Sequence, residues 1–330
     1  MTAGLASILG QTRAIEQLRG ALTRGTLHHA YLFHGPDGVG KRTTARALAQ
    51  AANCETAPGE GCERCEACRK IAGDLHPDIK WFPVLPEKGQ TERVRELISQ
   101  LGYPPNEARM RLVIFDPADE LNDTAANVLL KTLEEPPART HFVLVTARPA
   151  SLLVTIRSRC QRVVFGPLPD DEVARRLGEV HGVDGAAAQD AAALAQGSLG
   201  RALELATSEE FPRRRSQVRR LLEAARTRQT TTTLTAAAEV AGNRDEAATL
   251  LEMMWIAYRD ALLVSGGLAE GRVSGARLDE AMWLAHGVPA SGLLRGLTAL
   301  TETGVALEGN VNPQLAFEAL LFDLGRSGAI

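Results

Sequence analysis

The segment from Gly35 to Thr43, Gly-Pro-Asp-Gly-Val-Gly-Lys-Arg-Thr, forms most of a phosphate-binding loop. Such a loop demands a strand before it and a helix after it, because its glycines turn backbone N–H groups toward phosphates that a lysine neutralises. Residues 29–34 predict a short buried strand, and residues 43–52, rich in alanine and leucine, predict a helix. The residues predicted to bind nucleotide here are Gly35, Gly38, Gly40, Lys41 and Thr43.

Arg42 is a departure from the loop pattern, because a hydroxyl residue directly after the lysine normally binds magnesium. Thr43 comes one residue later and points about 100° further around the helix. Either the Thr43 hydroxyl replaces the missing magnesium ligand imperfectly, or the loop binds magnesium weakly. The loop is therefore either a working or a vestigial nucleotide site, and its use of ATP with magnesium is in doubt.

A second ATPase motif is expected at the apolar run 111–115, which resembles a buried parallel strand ending in Asp116. In a hydrolysing enzyme such an aspartate helps to hold magnesium, and the residue after it is usually a glutamate that polarises water. Here that residue is Pro117, which has no basic side chain. Asp119 and Glu120 follow closely, but their carboxylates would have to turn into the site to act as the base. The alternative is that Asp116 simply ends a strand.

Four of the five cysteines lie within fifteen residues, with seven, two and two residues between them. Paired Cys-x-x-Cys units bring thiolates to one point, and four sulfur ligands suit a closed, tetrahedral, structural zinc site. A catalytic zinc would keep one position open, and a redox pair would need only one such unit. The sequence therefore predicts zinc bound by Cys54, Cys62, Cys65 and Cys68.

Composition and charge set modest bounds. The 330 residues are 45% hydrophobic and carry 37 basic against 40 acidic side chains, a net charge of −3, so DNA contact would need a local patch. The run 213–228 holds seven arginines, but on a helix this pattern more often marks a solvated face. With no apolar stretch near ~20 residues and no secretion signal, we expect a cytoplasmic protein without membrane contact.

The order of motifs resembles that of the bacterial clamp-loader subunits, which belong to the AAA+ class. The resemblance rests on the Leu-Leu-Lys-Thr-Leu-Glu-Glu-Pro-Pro segment within 122–137, the triplet 158–160 (Ser-Arg-Cys), the opening 8–11 (Ile-Leu-Gly-Gln) and the cysteine module. It implies an α/β AAA+ P-loop domain, with a parallel sheet flanked by helices, over residues 1–165 with a zinc module at 54–68. A small helical lid (166–209) and an all-α collar domain for oligomerisation (210–330) would follow.

Within that family, Arg42 and Pro117 favour the delta-prime branch, whose ATP site has decayed, over the tau/gamma motor branch. The resemblance implies that Arg159 is an arginine finger presented in trans to ATP on a neighbouring motor subunit. The alternative is that Arg159 forms a surface salt bridge before a strand. It also implies that Thr146 matches the position that senses the terminal phosphate. A second sensing arginine is expected where Gly200 stands, and Arg201 comes one residue late.

The implied partners are the tau/gamma and delta subunits in a hetero-oligomer of the DNA polymerase III holoenzyme, the sliding clamp and primed DNA. Arg93 and Arg95 are candidate phosphate contacts, with ion pairs to Glu92 or Glu96 as the alternative. In the collar, the apolar positions of the segment 250–258 predict a broadly buried helix face, and the threonine run 230–233 is expected to be a helix cap or loop.

Three functions stay open at this stage. The first is a non-hydrolysing subunit that donates an arginine and helps to load the clamp onto primed DNA. The second is an active clamp-loader ATPase of the tau/gamma kind, in which Thr43 and Asp119 compensate for the lost groups. The third is a zinc-dependent nucleic-acid-binding protein on a borrowed AAA+ core.

Overall fold

Apolar runs in the first half of the chain form a parallel sheet. The computed structural model describes residues 4–84, 89–240, 244–270, 273, 275–309 and 311–330. Within these ranges five strands pair in parallel in the order β2-β3-β4-β1-β5. They are β1 (Ala30–His34), β2 (Ile79–Pro83), β3 (Arg111–Asp116), β4 (Thr140–Thr146) and β5 (Gln161–Val164). The predicted strand before the loop and the strand ending in Asp116 are both present.

Helices cover both faces of this sheet, so its strands are apolar on each side. The helices of the sheet region are α1 (Thr12–Thr23), α2 (Lys41–Asn53), α3 (Glu66–Ala72), α4 (Gln90–Gln100), α5 (Asp123–Glu134) and α6 (Val154–Arg159). On one face, Leu32 and Phe115 pack in a core with Leu129 of α5. On the other, Phe33 and Ile114 pack with residues of α1 and α2. The two cores hold β1 and β3 in place between the helices. The phosphate loop follows β1, and Asp116 ends β3.

The α5 helix begins at a capping residue. Asn122 is its N-cap, and its side-chain oxygen accepts a hydrogen bond of 2.8 Å from the N–H of Ala125. An asparagine cap satisfies one of the free donors at a helix start. The paired prolines after Glu135 cannot continue the helix, so the Leu-Leu-Lys segment has defined ends.

A second group of residues forms a helical unit. By its contacts the chain divides into a unit of Met1–Pro169 with Gly197–Gly200 and a unit of Asp170–Gln196 with Arg201–Ile330. The boundaries at 165/166 and 209/210 stay predictions. The remaining helices are α7 (Asp170–His181), α8 (Gly185–Leu194), α9 (Leu199–Thr207), α10 (Glu210–Thr227), α11 (Thr230–Ala238), α12 (Arg244–Ser265), α13 (Gly275–Ala285), α14 (Ala290–Glu308) and α15 (Pro313–Arg326).

The helical unit has its own core. Leu250, Met254 and Tyr258 of α12 are fully buried and pack with Leu221 of α10 and Phe317 of α15. The predicted buried face of the segment 250–258 is confirmed. Of the helices in the described part of the chain, none combines the length and the apolar character that a membrane span needs.

The expectation for the threonine run 230–233 was wrong. All four threonines lie inside α11, and Gln229 stands at the N-cap position. The Thr233 hydroxyl donates to the Gln229 carbonyl at 3.0 Å, and the Thr235 hydroxyl donates to the Thr231 carbonyl at 2.9 Å. Because threonine can bond the carbonyl four residues back, it is compatible with a helix despite its β-branched side chain.

A buried carboxylate fixes the loop that leads into β3. Asp78 is fully buried and accepts hydrogen bonds of 2.8–2.9 Å from the backbone N–H groups of Asn106, Glu107 and Ala108. Arg111 lies 3.5 Å from the same carboxylate. Burial raises the pKa of Asp78, but these N–H groups and Arg111 outweigh it and hold the pKa below its usual value.

We predict that Asp78→Asn destabilises the protein by about 2–4 kcal/mol at pH 7, because charge-assisted hydrogen bonds are lost and Arg111 is left without its counter-charge. Since the folded pKa of Asp78 is lowered, its stabilisation is present above the unfolded pKa of about 3.9 and is lost as the pH falls through the folded pKa. Urea unfolding at several pH values measures both effects.

The matched control is Asp74→Asn. Asp74 is half-exposed, pairs with Arg46 and has a φ of 57°, which asparagine tolerates. It should cost less than about 1 kcal/mol. Equal losses from the two variants, or a deficit for Asp78→Asn that does not shrink in acid, would contradict the assignment.

Candidate functional site

The phosphate loop has the backbone that its glycines predict. Gly35, Gly38 and Gly40 have φ angles of 153°, 71° and 98°. A Cβ at Gly35 would lie 2.1 Å from the carbonyl oxygen of Phe165, so only glycine fits there. Gly40 precedes α2, whose first residue is Lys41. The strand, loop and helix therefore stand in the order that phosphate binding requires.

Lys41 turns back onto the loop. Its ammonium group donates to the carbonyl oxygens of Gly35 at 2.7 Å and Pro36 at 2.6 Å, and lies 3.3 Å from the Asp37 carboxylate. The Lys41 side chain is only 6% exposed. A phosphate that bound here would have to compete with two backbone carbonyls for this cation.

The position normally used by a magnesium ligand carries a guanidinium. Arg42 Nη1 lies 3.3 Å from Asp116 Oδ2, so the arginine pairs with the carboxylate that ends β3. Burial raises the pKa of Asp116, and the cations Arg42 and Lys41 offset part of that effect. Thr43 is exposed, whereas the buried Thr44 donates its hydroxyl to the Gly40 carbonyl at 2.9 Å.

Thr146, at the end of β4, is also paired. Its hydroxyl donates to Asp119 at 2.6 Å, and Arg148 donates to the other oxygen of that carboxylate at 2.8 Å. The Asp119 side chain is 3% exposed. Asp119 is thus the partner of Thr146 and Arg148, on a short 3₁₀ turn (Ala118–Glu120) that follows Asp116 and Pro117.

Gly200 contacts the phosphate loop directly. Its N–H donates to the Gly38 carbonyl at 3.2 Å, and a Cβ on Gly200 would lie 3.4 Å from Gly38 Cα. Arg201, the residue after it, forms an ion pair with Glu252 of α12. The position predicted for a second sensing arginine therefore has no side chain, and the adjacent arginine is engaged elsewhere.

Arg159 is the last residue of α6. Its guanidinium donates to the Thr155 carbonyl at 3.0 Å and pairs with Glu134 at the end of α5, at 2.5 Å. The side chains of Arg159 and Glu134 are 35% and 49% exposed. The structure therefore places this arginine at the protein surface, held by one carbonyl and one half-exposed carboxylate.

The four clustered cysteines come together as the sequence predicts. The sulfur atoms of Cys54, Cys62, Cys65 and Cys68 all lie within 4.8 Å of one another. Those of Cys54 and Cys65 are 3.9 Å apart, close to the separation of about 3.8 Å that tetrahedral zinc with Zn–S bonds of about 2.3 Å requires. The donor set and its spacing fit a structural zinc ion.

Backbone N–H groups surround these sulfurs. Cys54 accepts from the N–H groups of Ala57 at 3.2 Å and Cys62 at 3.3 Å, and Cys62 accepts from that of Cys65 at 3.2 Å. Hydrogen bonds from Thr56 and from the N–H groups of Cys65 and Arg64 lower the pKa of Cys62 to about 5. Thiolate character of this kind favours metal binding.

The cysteine module is joined to the rest of the sheet unit by the chain itself and by several hydrogen bonds. Cys54 directly follows α2, and Gln50 of that helix donates to the Cys68 carbonyl at 3.1 Å. The Gly59 N–H donates to the Ala51 carbonyl at 2.8 Å, and Leu5 N–H donates to the Glu60 carbonyl at 3.1 Å. A metal in the module would therefore brace the far end of the helix that starts at Lys41.

The arginine run 213–228 is mostly engaged within the chain. Four of its members form ion pairs, Arg214 with Glu210, Arg215 with Asp190, Arg219 with Glu223 and Arg220 with Glu239. Arg226 donates to the carbonyls of Trp283 and His286. These contacts within the chain favour a helix face over a binding site, although several of the arginines are only partly exposed.

The two DNA-contact candidates sit on α4. Arg95 pairs with Glu92 at 3.8 Å, and the guanidinium of Arg93 lies 5.0 Å from the centre of the Phe82 ring. Residues 85–88 of the preceding segment lie outside the described part of the chain. Any role of the two arginines toward DNA stays a prediction.

Comparison with known proteins supports the resemblance drawn from the motifs. Residues 10–169 match the family model described as DNA polymerase III, delta subunit. The DNA polymerase III subunit delta' of Bacillus subtilis is 36% identical over 218 residues, 64% of either chain. These matches support the assignment of the chain to the DNA polymerase III clamp-loader family. The α/β class predicted from the sequence is confirmed, because a parallel five-stranded sheet lies between helices.

Both branches of the clamp-loader family are represented among the relatives. The subunit delta' of Yersinia pestis is 42% identical over 44% of this chain, and the subunit tau of Bacillus subtilis is 35% identical over 52% of it. These alignments span 43% of that delta' and 31% of that tau. Among solved structures, Thermotoga maritima RuvB covers 88% of the chain at 19% identity with a TM-score of 0.45.

Sequence reasoning missed one group of contacts on helix α2. The guanidinium carbons of Arg42 and Arg46 lie 4.7 and 5.3 Å from the centre of the Trp81 ring. Arg42 and Arg46 are four residues apart on α2 and so share a face. This spacing could have indicated that the two arginines contact a common partner. Nothing in the sequence placed Trp81 of β2 beside them.

A second missed contact is made by Gln11, whose amide holds the phosphate loop to the segment after β5. Its NH₂ group donates to the carbonyls of Val39 at 3.3 Å and Gly166 at 2.8 Å, and its oxygen accepts from the Gly166 N–H at 3.1 Å. Gln11 is 4% exposed, and these hydrogen bonds satisfy its buried amide group while they stabilise the loop. The sequence showed this glutamine only as part of the motif 8–11.

We predict one zinc per chain in freshly purified protein, measured by metal analysis with mass spectrometry. Cys62→Ser should lower the zinc content well below one, because a structural site needs all four thiolates. Removing zinc with a chelator should lower the melting temperature by at least about 5 °C, because the module braces α2.

Cys160→Ser is the matched control. Cys160 is buried in the sheet core, away from the cluster, and should keep full zinc content. Less than half a zinc in the unaltered protein, or equal zinc loss in both variants, would contradict a metal site at the four clustered cysteines.

Proposed function

We propose that this chain is a delta-prime-type clamp-loader subunit that does not hydrolyse ATP and donates Arg159 in trans to a neighbouring ATPase subunit. The observation that carries the proposal is the Arg42–Asp116 ion pair. Asp116 is the carboxylate that would hold magnesium, and Arg42 stands where its partner hydroxyl is expected. The residue after Asp116 is Pro117, which cannot act as a base.

The other groups that hydrolysis would use are engaged as well. Lys41 donates to loop carbonyls, the Thr146 hydroxyl donates to Asp119, and Gly200 offers no guanidinium to a terminal phosphate. Phosphoryl transfer depends almost entirely on positioning and on stabilising charge, so these engagements remove its main contributions. They support a loop kept as a scaffold.

The position of Arg159 supports its role as a finger. It ends a helix at the surface, and Glu134 and the Thr155 carbonyl hold its guanidinium in one place. A planar guanidinium fits the oxygens of a phosphoryl group and can stabilise the charge that develops during transfer. In this role Arg159 exchanges Glu134 for the phosphate of a nucleotide bound to another subunit.

The proposed partners follow from the relatives. Proteins named DNA polymerase III subunit delta' and subunit tau match parts of this chain, and a solved protein named DNA clamp loader delta covers 94% of it. We propose a hetero-oligomer with tau/gamma and delta subunits that loads a sliding clamp onto primed DNA. Zinc bound by the four clustered cysteines would have a structural role in it, and the proposed location is the cytoplasm.

The second candidate function is an active ATPase of the tau/gamma kind. It is favoured by the intact glycines and lysine of the phosphate loop and by the tau relatives, which are 35–36% identical to this chain. Such an enzyme would need Arg42 to leave Asp116 and Lys41 to leave the loop carbonyls.

We predict that the isolated chain turns over no ATP above the level of its Lys41→Ala variant. In the reconstituted assembly, Arg159→Ala should lower ATP turnover, by up to a factor on the order of 10³ at the one site that the arginine serves. Arg159→Lys should not restore it, because a lysine lacks the planar fork. A coupled phosphate-release assay measures all of these rates.

The control is Arg24→Ala, which removes an exposed arginine after α1 and should leave turnover unchanged. Normal ATP turnover by an assembly that carries Arg159→Ala would contradict the proposal that Arg159 acts as an arginine finger. Turnover by the isolated chain that disappears in Lys41→Ala would establish the second candidate instead.

A further inference from the structure

The Arg42–Asp116 pair is held in place by a second contact. The Trp81 ring lies 4.7 Å from the guanidinium carbon of Arg42 and 5.3 Å from that of Arg46. Arg46 is itself fixed by two hydrogen bonds to Asp74, at 3.0 and 2.9 Å. Arg42 therefore has an aromatic ring and a carboxylate as neighbours, both of which attract a cation.

A divalent cation does not fit among these residues. Magnesium requires oxygen ligands at about 2.0–2.1 Å in octahedral geometry. The Asp116 side chain is 17% exposed, and its Oδ2 already faces the Arg42 guanidinium at 3.3 Å. The hydroxyl beside it in other phosphate loops is replaced by that guanidinium, and the hydroxyl of Thr44 is directed at the Gly40 carbonyl. A metal would have to displace one cation and lack one ligand.

We infer that Arg42 is a specificity-determining residue that excludes the divalent cation from this phosphate loop, with its guanidinium taking the cation's place beside Asp116. The inference rests on the proposed function, because it explains how the loop of a non-hydrolysing subunit keeps its fold. It goes beyond the proposed function because it assigns the exclusion of the metal to one side chain. A single substitution of Arg42 should therefore restore binding of a divalent cation.

The test is equilibrium dialysis of the full chain against Mn²⁺, with and without ADP, at physiological salt. Metal mass spectrometry of both chambers gives the ADP-dependent Mn²⁺ bound per chain. The unaltered protein should bind less than about 0.2 equivalents, whereas Arg42→Thr should bind about one, with Mn²⁺ affinity at least about tenfold higher. Adding Asp116→Asn to Arg42→Thr should abolish the gain.

Arg46→Thr is the matched control, because it removes the other arginine on Trp81 and leaves the Arg42–Asp116 pair intact. It should bind no more Mn²⁺ than the unaltered protein. One equivalent of ADP-dependent Mn²⁺ in the unaltered protein overturns the inference, and so does an Arg42→Thr variant that gains none. A gain that survives Asp116→Asn overturns the assignment to this carboxylate.

ATP turnover measured on the same preparations separates this inference from the proposed function. Turnover by the unaltered chain would defeat the proposed function. Mn²⁺ binding without turnover would defeat only the exclusion of the metal by Arg42. Circular dichroism of each variant confirms that all are folded before their metal content is compared.

Discussion

Helix α2 is the element on which both candidate sites depend. It begins with Lys41 of the phosphate loop and ends one residue before Cys54, the first cysteine of the metal cluster. Most of its side chains are buried, and many are alanines, so the helix lies close to the sheet and cannot rotate without disturbing the core. The loop and the cysteine module are thereby held at opposite ends of one rigid segment.

The replacement of a hydroxyl by an arginine on this helix has a structural use. Positions 42 and 46 face the same side of α2, and Trp81 of β2 contacts both guanidinium groups. Asp116 is a partly buried carboxylate whose pKa is raised by burial, and the counter-charge of Arg42 offsets part of that rise. Arg42 therefore gives Asp116 a partner within the protein, while the loop keeps the positive φ angles of its glycines.

Local features were predictable from the sequence, and pairings between distant residues were not. The loop glycines, the Asn122 cap and the cysteine spacing each specify geometry within a few residues, so the strand, helix and cluster were placed correctly. The pairs Arg42–Asp116 and Thr146–Asp119 join residues 74 and 27 positions apart, and only the sheet order brings them together. The prediction for the threonine run of α11 failed because burial of Thr233, Ala236 and Ala237 in the helical unit outweighs local propensity.

The two key arginines differ in how easily each can leave its carboxylate. Arg42 lies over the Trp81 ring and its side chain is 58% exposed, but its partner Asp116 is only 17% exposed, so separation would leave a partly buried carboxylate unpaired. Arg159 pairs with Glu134, whose side chain is 49% exposed, and an ion pair of that exposure is worth about 0–1 kcal/mol. Water can solvate Glu134 once the arginine leaves. The carboxylate left behind by Arg159 is therefore more easily solvated than the carboxylate left behind by Arg42.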